Sequence, residues 1–140
     1  MRIVILGSGR VGSRLANSLL DKGHTLVVID ENVRKFKAID EHPDIQRIEG
    51  NIFHDEISAL AFSEATDVFI VVTGKDNVNV MVAQAIQKKY HIKNILIRIF
   101  DPDLADVYRM LGFEIICPTN YTISEIKKIL DSGTPSAEGR

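Results

Sequence analysis

The apolar residues of this chain change repeatedly between two spacings, and each change predicts a new element. Ile3 to Leu6 is a short continuous apolar run, which is typical of a strand buried on both faces. After it, Val11, Leu15 and Leu19 recur at the spacing of one helix face. A second apolar run at 25–29 follows. The first thirty residues therefore predict a strand, a helix and a second strand.

The same alternation continues along the chain. The further predicted strands are 44–49, 67–72, 95–98 and 114–116. The further predicted helices are 32–41, 56–62, 76–90, 101–112 and 124–130. Asp76 is expected to cap the helix that it begins, because aspartate is among the strongest N-caps. Residues 133–140 are small and polar and are predicted to be a flexible tail or linker stub, which leaves 1–132 as one domain.

Strands separated by helices of this length predict an α/β fold. Such a chain forms a parallel sheet with right-handed crossovers and helices on both faces. The expected architecture is a Rossmann-like, doubly wound, six-stranded parallel sheet in a single domain, with strand order 3-2-1-4-5-6. In that order the chain reverses direction between strands 1 and 4, and ligands bind at the carboxyl ends of the strands at this point.

Composition narrows the function classes. The chain has 140 residues, a net charge of −2 and no basic cluster, which argues against nucleic acid as a partner. Its apolar runs are far shorter than the roughly 18 residues that span a bilayer, which argues against direct membrane insertion. A single cysteine, Cys117, cannot form an internal disulfide, so a cytoplasmic setting is expected.

A glycine motif separates the first strand from the first helix. Gly7, Gly9 and Gly12 form GxGxxG, and Asp30 follows the second strand. In this arrangement the glycines permit a tight turn, close approach of a pyrophosphate and close helix packing. Asp30 can accept ribose hydroxyls and repels a 2′-phosphate, which favours NAD over NADP. The alternative is a glycine turn that binds nothing.

Further candidates lie at the same predicted edge. Arg10 can reach a phosphate or a neighbouring subunit, or be a solvated arginine at the start of a helix. Arg98 can meet a nucleotide phosphate or be an ordinary surface arginine. Asn51 can bond adenine or simply form a turn. Gly74 either admits the ligand or only turns the chain. The complete predicted cofactor-binding set is Gly7, Ser8, Gly9, Arg10, Val11, Gly12, Asp30, Glu31, Asn51, Ile52, Thr73, Gly74, Lys75, Asn77 and Arg98.

The chain offers little chemistry beyond nucleotide binding. Its four histidines are scattered without metal-ligand spacing, and no GxSxG nucleophile motif is present. All six strands are used by the nucleotide fold, so a substrate region is lacking and an enzyme is not expected. The segment at 79–86 is apolar nearly all round, and the last helix has no further strand to cover. Both features favour a homo-oligomer, although burial within the monomer also explains the first.

Several stretches together resemble the TrkA-N domain, also called the KTN or RCK domain. They are the segment GSGRVGSRLANSLLDKGHTLVVID, the Gly50-Asn51 turn, TGKDNVNVMVAQ at 73–84, IRIFDP at 97–102 and LGFEIICP at 111–118. The resemblance implies a cytoplasmic regulatory subunit at the inner face of the membrane that controls a membrane-embedded potassium transporter or channel. It also implies a homodimer, possibly a higher ring, and NAD or NADH, or alternatively ATP, ADP or AMP, as ligand.

Two residues depart from the family pattern. Family members usually carry aspartate where Asn51 stands, often followed by a small residue where Ile52 stands. They also often carry a second, smaller lobe, so the chain is expected to be a stand-alone subunit or part of a longer protein. Two other function classes stay open: a fragment of an NAD-dependent oxidoreductase, and a redox-sensing regulator that reads NADH and binds DNA.

Overall fold

The computed structural model describes residues 1–133, and the predicted tail from residue 134 onward lies outside them. All six strands form one parallel sheet in the order β3-β2-β1-β4-β5-β6, which confirms the predicted fold class. The strands are β1 (Arg2–Leu6), β2 (Thr25–Asp30), β3 (Ile45–Glu49), β4 (Val68–Val71), β5 (Ile95–Arg98) and β6 (Glu114–Ile116). The helices are α1 (Arg10–Leu20), a 3-10 helix (Val33–Ala38), α2 (Asp55–Ala61), α3 (Asp76–Tyr90), α4 (Pro102–Met110) and α5 (Pro118–Asp131).

The sheet separates two apolar layers. Successive side chains of a strand point to opposite faces, so Val4 and Leu6 of β1 join one layer while Ile3 and Ile5 join the other. The first layer contains residues of α2, α3 and α4, and the second contains residues of α1 and the 3-10 helix. Both faces are therefore covered, which explains why the central strands are apolar at nearly every position.

The segment after β2 is a 3-10 helix rather than the α-helix predicted for 32–41. Its apolar residues Val33, Phe36 and Ile39 are three positions apart, which is the period of a 3-10 helix and falls short of the α-helical 3.6. The backbone N–H of Ile39 accordingly donates to the carbonyl of Phe36 at 3.0 Å. Phe36 and Ile39 are buried, whereas Val33 is exposed.

The last helix begins at Pro118, six positions before the predicted start at 124. Proline fits the first turn of a helix because its missing N–H would have no partner there. α5 buries none of its residues, and Tyr121, Ile126 and Leu130 are among its exposed apolar side chains. Within residues 1–133, no helix is long and apolar enough to cross a membrane.

Two predicted apolar faces differ in the structure. Val11 is 48% exposed, and α1 instead buries Gly12, Ser13, Ala16 and Leu20 against the sheet. In α3, most of the apolar segment at 79–86 is buried within the monomer, and Met81 is the large apolar residue of that segment that is exposed. The interface expected on α3 is therefore largely core, whereas α5 keeps an exposed apolar surface.

Candidate functional site

A cavity of about 600 Å³ opens at the carboxyl ends of the central strands, where the strand order reverses. This volume lies in the range of small-molecule sites. The predicted residues that line it are Gly7, Gly9, Asp30, Glu31, Asn51, Ile52, Thr73, Gly74, Lys75 and Arg98. The lining residues outside the predicted set are Leu6, Ile29, Lys35, Gly50, Phe53, Val72 and Val78.

The three glycines of the motif have three different surroundings. Gly7 has a φ of +102°, and a Cβ on it would lie 2.8 Å from the carbonyl oxygen of Val72. A Cβ on Gly12 would lie 1.8 Å from the carbonyl oxygen of Gly7. Gly9 lines the cavity, and apart from its two chain neighbours no atom of residues 1–133 lies within 4 Å of its Cβ position. Gly7 and Gly12 are thus required by the fold, whereas Gly9 keeps space open at the cavity.

The amino end of α1 faces the glycine loop. Gly9 is the N-cap residue, and neither a capping side chain nor an acidic residue serves the first turn. The amides of that turn and the positive end of the helix dipole therefore favour an anion at this point. A phosphate group of a bound ligand has the charge and the acceptor atoms that this end of the helix lacks.

Asp30 ends β2 and is 9% exposed. Its Oδ2 accepts hydrogen bonds from the backbone N–H and from the hydroxyl of Ser8, both at 2.9 Å. Its Oδ1 accepts from the backbone N–H of Asn32 at 2.8 Å. Ser8 is itself buried and does not line the cavity. Asp30 is therefore fixed in orientation and ties the glycine loop to the end of β2.

Asn79 organises the opposite wall of the cavity. It is fully buried in α3, and its side-chain oxygen accepts hydrogen bonds from the backbone N–H and the hydroxyl of Thr73. Its side-chain amide donates to the carbonyl oxygens of Thr73 at 3.1 Å and of Arg98 at 2.9 Å. Sequence reasoning missed Asn79, although a polar residue within the apolar run at 79–86 is the signal that could have identified it.

Arg98 extends along the same wall. Its Nη2 donates to the carbonyl oxygens of Val72 at 2.9 Å and of Thr73 at 3.1 Å, and its guanidinium lies 4.8 Å from the ring centre of Phe100. Burial lowers the pKa of Arg98, and the negative charge of Asp76 partly opposes this shift. Within residues 1–133, the buried Nε of Arg98 has no hydrogen-bond partner. Arg98 is therefore a partly desolvated cation at the edge of the cavity.

The expectation that Asp76 caps its helix is wrong. Lys75 is the N-cap residue, and Asp76 occupies the first helical position. The Asp76 carboxylate instead accepts hydrogen bonds from the backbone N–H of Phe100 at 2.9 Å and of Asp101 at 3.0 Å. Those amides belong to the loop after β5, so the carboxylate provides their hydrogen-bond acceptor and connects this loop to the start of α3.

Four of the remaining predicted residues lie apart from the cavity lining, whereas Asn51 belongs to it. Arg10, Val11 and Asn77 are exposed on helix surfaces, and Gly12 is buried behind the loop. Asn51 lines the cavity, but its side-chain oxygen accepts from the backbone N–H of Phe53 at 2.8 Å, which closes a local turn.

Among residues 1–133, no group of three or more histidine, cysteine, aspartate or glutamate side chains is placed to hold a metal ion.

Proteins of known family share both the sequence and the fold. Residues 3–118 match the model of the TrkA-N domain. The chain is 34% identical over 134 residues to the Trk system potassium uptake protein TrkA of Streptomyces coelicolor, covering 95% of this chain and 60% of that protein. It is 35% identical over 142 residues to a TrkA homologue of Archaeoglobus fulgidus, covering 98% of this chain and 31% of that protein. The chain thus spans only part of the length of these relatives.

Solved structures below 25% identity show the same fold. The TrkA-N domain of the inner membrane protein ybaL from Escherichia coli superimposes with a TM-score of 0.80 at 22% identity, covering 92% of this chain and 96% of that one. The Shewanella denitrificans Kef C-terminal domain in its AMP-bound form gives 0.77 at 16% identity, covering 96% and 83%. The GsuK channel gives 0.67 bound to NAD at 18% identity, covering 84% and 21%, and 0.75 bound to ADP at 20%, covering 95% and 34%. Since the family model matches most of this chain, the chain belongs to the TrkA-N domain family.

Proposed function

We propose that this chain is a nucleotide-binding regulatory domain that controls potassium transport. The observation that carries the proposal is the cavity at the reversal of strand order, which joins an uncapped helix terminus to a fixed carboxylate at the end of β2. The relatives named as potassium uptake proteins support the transport role. In this role the domain binds a ligand and changes the state of a partner, and it does not itself catalyse a reaction.

The ligand is an adenine nucleotide: NAD or NADH, or alternatively ATP, ADP or AMP. The open space at Gly9 and the amides that follow it suit the phosphates, because both lack any side chain that would compete. Asp30 suits the ribose, since a carboxylate accepts hydroxyl hydrogen bonds. The GsuK channel bound to NAD and to ADP, and the Kef domain bound to AMP, support this class of ligand.

The proposed partners are a second copy of the chain and a membrane-embedded potassium transporter or channel subunit. The exposed apolar side chains of α5, including Tyr121, Ile126 and Leu130, support a homodimer or a higher ring. Arg10 is exposed beside the glycine loop, and its proposed role is to reach a phosphate across a subunit boundary. The domain would act in the cytoplasm, at the inner face of the membrane, through its partner.

The proposed mechanism is a shift of population. A nucleotide that binds one geometry of the dimer or ring better than another biases the assembly by its differential affinity and by no more. Contacts between subunits would then transmit the bias to the pore. Ligands that bind both geometries equally would occupy the cavity without changing transport.

Calorimetric titration with NAD, NADH, ATP, ADP and AMP tests the ligand class. We expect Asp30→Ala to weaken every adenosine ligand by about tenfold or more, because it removes a charged acceptor. Asp21→Ala is the matched control, since it removes an exposed carboxylate near the far end of α1. Light scattering on the same samples should show an assembly larger than a monomer, with dimensions that change on addition of nucleotide. Unchanged affinity in Asp30→Ala, or a monomer under all conditions, would contradict the proposal.

A further inference from the structure

Lys35 is a cation at the ribose end of the cavity that the sequence pattern did not identify. It belongs to the 3-10 helix after β2, and its Nζ lies 3.9 Å from Oδ2 of Asp30. Its side chain is 50% exposed, so the ammonium group is accessible to a ligand in the cavity that it lines. The predicted set includes Asp30 and Glu31 at this end of the site and leaves this positive charge out.

Asp30 has less accepting capacity than an isolated carboxylate. A carboxylate offers about four lone-pair sites. The N–H and hydroxyl of Ser8 occupy those of Oδ2, and the N–H of Asn32 occupies one on Oδ1. One site on Oδ1 is left for a ligand. A ribose with two free hydroxyl groups can therefore donate only one of them to Asp30 unless an internal hydrogen bond breaks.

The charges around this end of the cavity also differ from those of a lone aspartate. Asp30 and Glu31 are both in the lining and contribute two negative charges, and Lys35 contributes one positive charge. A 2′-phosphate on the ribose would be repelled by both carboxylates and attracted by the ammonium group of Lys35. Removing Lys35 would leave that repulsion uncompensated.

We propose that Lys35 is a specificity-determining residue that allows the cavity to accept a ribose carrying a 2′-phosphate. This inference rests on the proposed adenosine site and defines the dinucleotides that it admits. The positive charge of Lys35 offsets the negative charge of Asp30. The ammonium group of Lys35 also offers three N–H donors to a 2′-phosphate, which the carboxylate of Asp30 repels. It revises the expectation that Asp30 by itself selects NAD over NADP.

The test compares the affinities of NAD and NADP in four proteins. Lys35→Gln removes the charge, and Lys35→Arg keeps it. Lys37→Gln is the matched control, because it removes the same charge from the same 3-10 helix while Lys37 lines a different cavity beside β3. The fourth protein is the unaltered chain, and calorimetry at low ionic strength gives each ratio of dissociation constants.

We expect Lys35→Gln to raise the ratio of the NADP to the NAD dissociation constant by about fivefold, the upper range for an exposed ion pair. The ratio should stay within twofold in Lys35→Arg and Lys37→Gln, and added salt should reduce the Lys35→Gln effect. A ratio that is unchanged in Lys35→Gln, or changed equally in Lys37→Gln, overturns the role of Lys35. If the unaltered chain binds neither dinucleotide nor any adenosine nucleotide, the proposed function fails instead.

Discussion

Alanine at Gly12 and alanine at Gly9 should have opposite consequences, although the two glycines belong to one motif. A Cβ on Gly12 would lie 1.8 Å from the carbonyl oxygen of Gly7, and ordinary contacts begin at 3.4 Å, so the two groups must separate by 3.4 − 1.8 = 1.6 Å. The obstacle is backbone on both sides, and no side chain can rotate away. α1 must therefore move away from the end of β1.

The cost of this movement follows from the packing of α1. Ala16 and Leu20 of this helix are buried in the layer that covers one face of the sheet, so moving the helix disturbs contacts along its length. Overpacking of a core costs about 1–3 kcal/mol, and backbone obstruction belongs at the upper end. For a domain of this size, about 3 kcal/mol lowers Tm by roughly 10 °C.

Gly9→Ala should leave the fold intact and impair binding. Apart from its two chain neighbours, no atom of residues 1–133 lies within 4 Å of its Cβ position. Its φ of −67° suits any residue, so the change in stability should stay within about 1 kcal/mol. Its Cβ would occupy space in the cavity lining where a phosphate approaches the backbone. Nucleotide affinity should then fall by about tenfold or more, since the phosphate must move away.

Thermal unfolding and calorimetric titration of both variants separate the two effects. The expected pattern is a large loss of Tm in Gly12→Ala, and an unchanged Tm with weakened binding in Gly9→Ala. Equal Tm values for the two variants would refute the packing role given to Gly12. Unchanged affinity in Gly9→Ala would refute the placement of the phosphates over that residue.

Two further variants test other parts of the molecule. Asn79→Leu keeps the side-chain size but removes the hydrogen bonds that Asn79 makes to Thr73 and Arg98. Urea unfolding should therefore show a loss of about 2–3 kcal/mol, and a loss below about 1 kcal/mol would contradict the bracing role. The Nζ of Lys89 donates a hydrogen bond to Oδ1 of Asp55 at 2.7 Å. This hydrogen bond lowers the pKa of Asp55 from its ordinary 3.8 and raises the pKa of Lys89 from its ordinary 10.5. Their stabilisation is present between these two values, and it is lost as Asp55 becomes protonated at lower pH and as Lys89 loses its proton at higher pH. Asp55→Asn should therefore lower Tm slightly at neutral pH and leave it unchanged in strong acid, and an equal effect at both would contradict the assignment.

The parts of the fold that the sequence predicts correctly depend on local patterns of apolar residues. Six apolar runs separated by helical segments determine a parallel sheet, and the handedness of crossovers restricts the strand order. The errors arose where one local signal has two meanings. Val33, Phe36 and Ile39 fit a 3-10 period as well as a short helix face, and Pro118 begins the last helix six positions before the start predicted at 124.

The residues of the candidate site also form two groups, those that the sequence predicts and those that only the structure reveals. Gly7, Gly9 and Asp30 lie in one short stretch of sequence, and their motif is sufficient to predict that they meet at one edge of the sheet. Lys35 and Phe53 reach the cavity from a 3-10 helix and a loop, whose orientation depends on how those segments pack. Their participation follows from the tertiary structure alone, and no spacing in the sequence indicates it.

The wall of the cavity that contains Thr73 and Arg98 is connected by hydrogen bonds to the rest of the domain, and these bonds provide a route by which a ligand could affect it. Thr73 is bonded through Asn79 to Arg98, and the carbonyl oxygen of Phe100, two residues beyond Arg98, accepts a hydrogen bond from the hydroxyl of Thr119 in α5 at 2.6 Å. A short series of contacts therefore connects the cavity to the helix whose apolar side chains are exposed. Under the proposed function, a nucleotide that favours one position of the Thr73 wall would favour one placement of α5, and its effect on assembly is limited by its difference in affinity for the two placements.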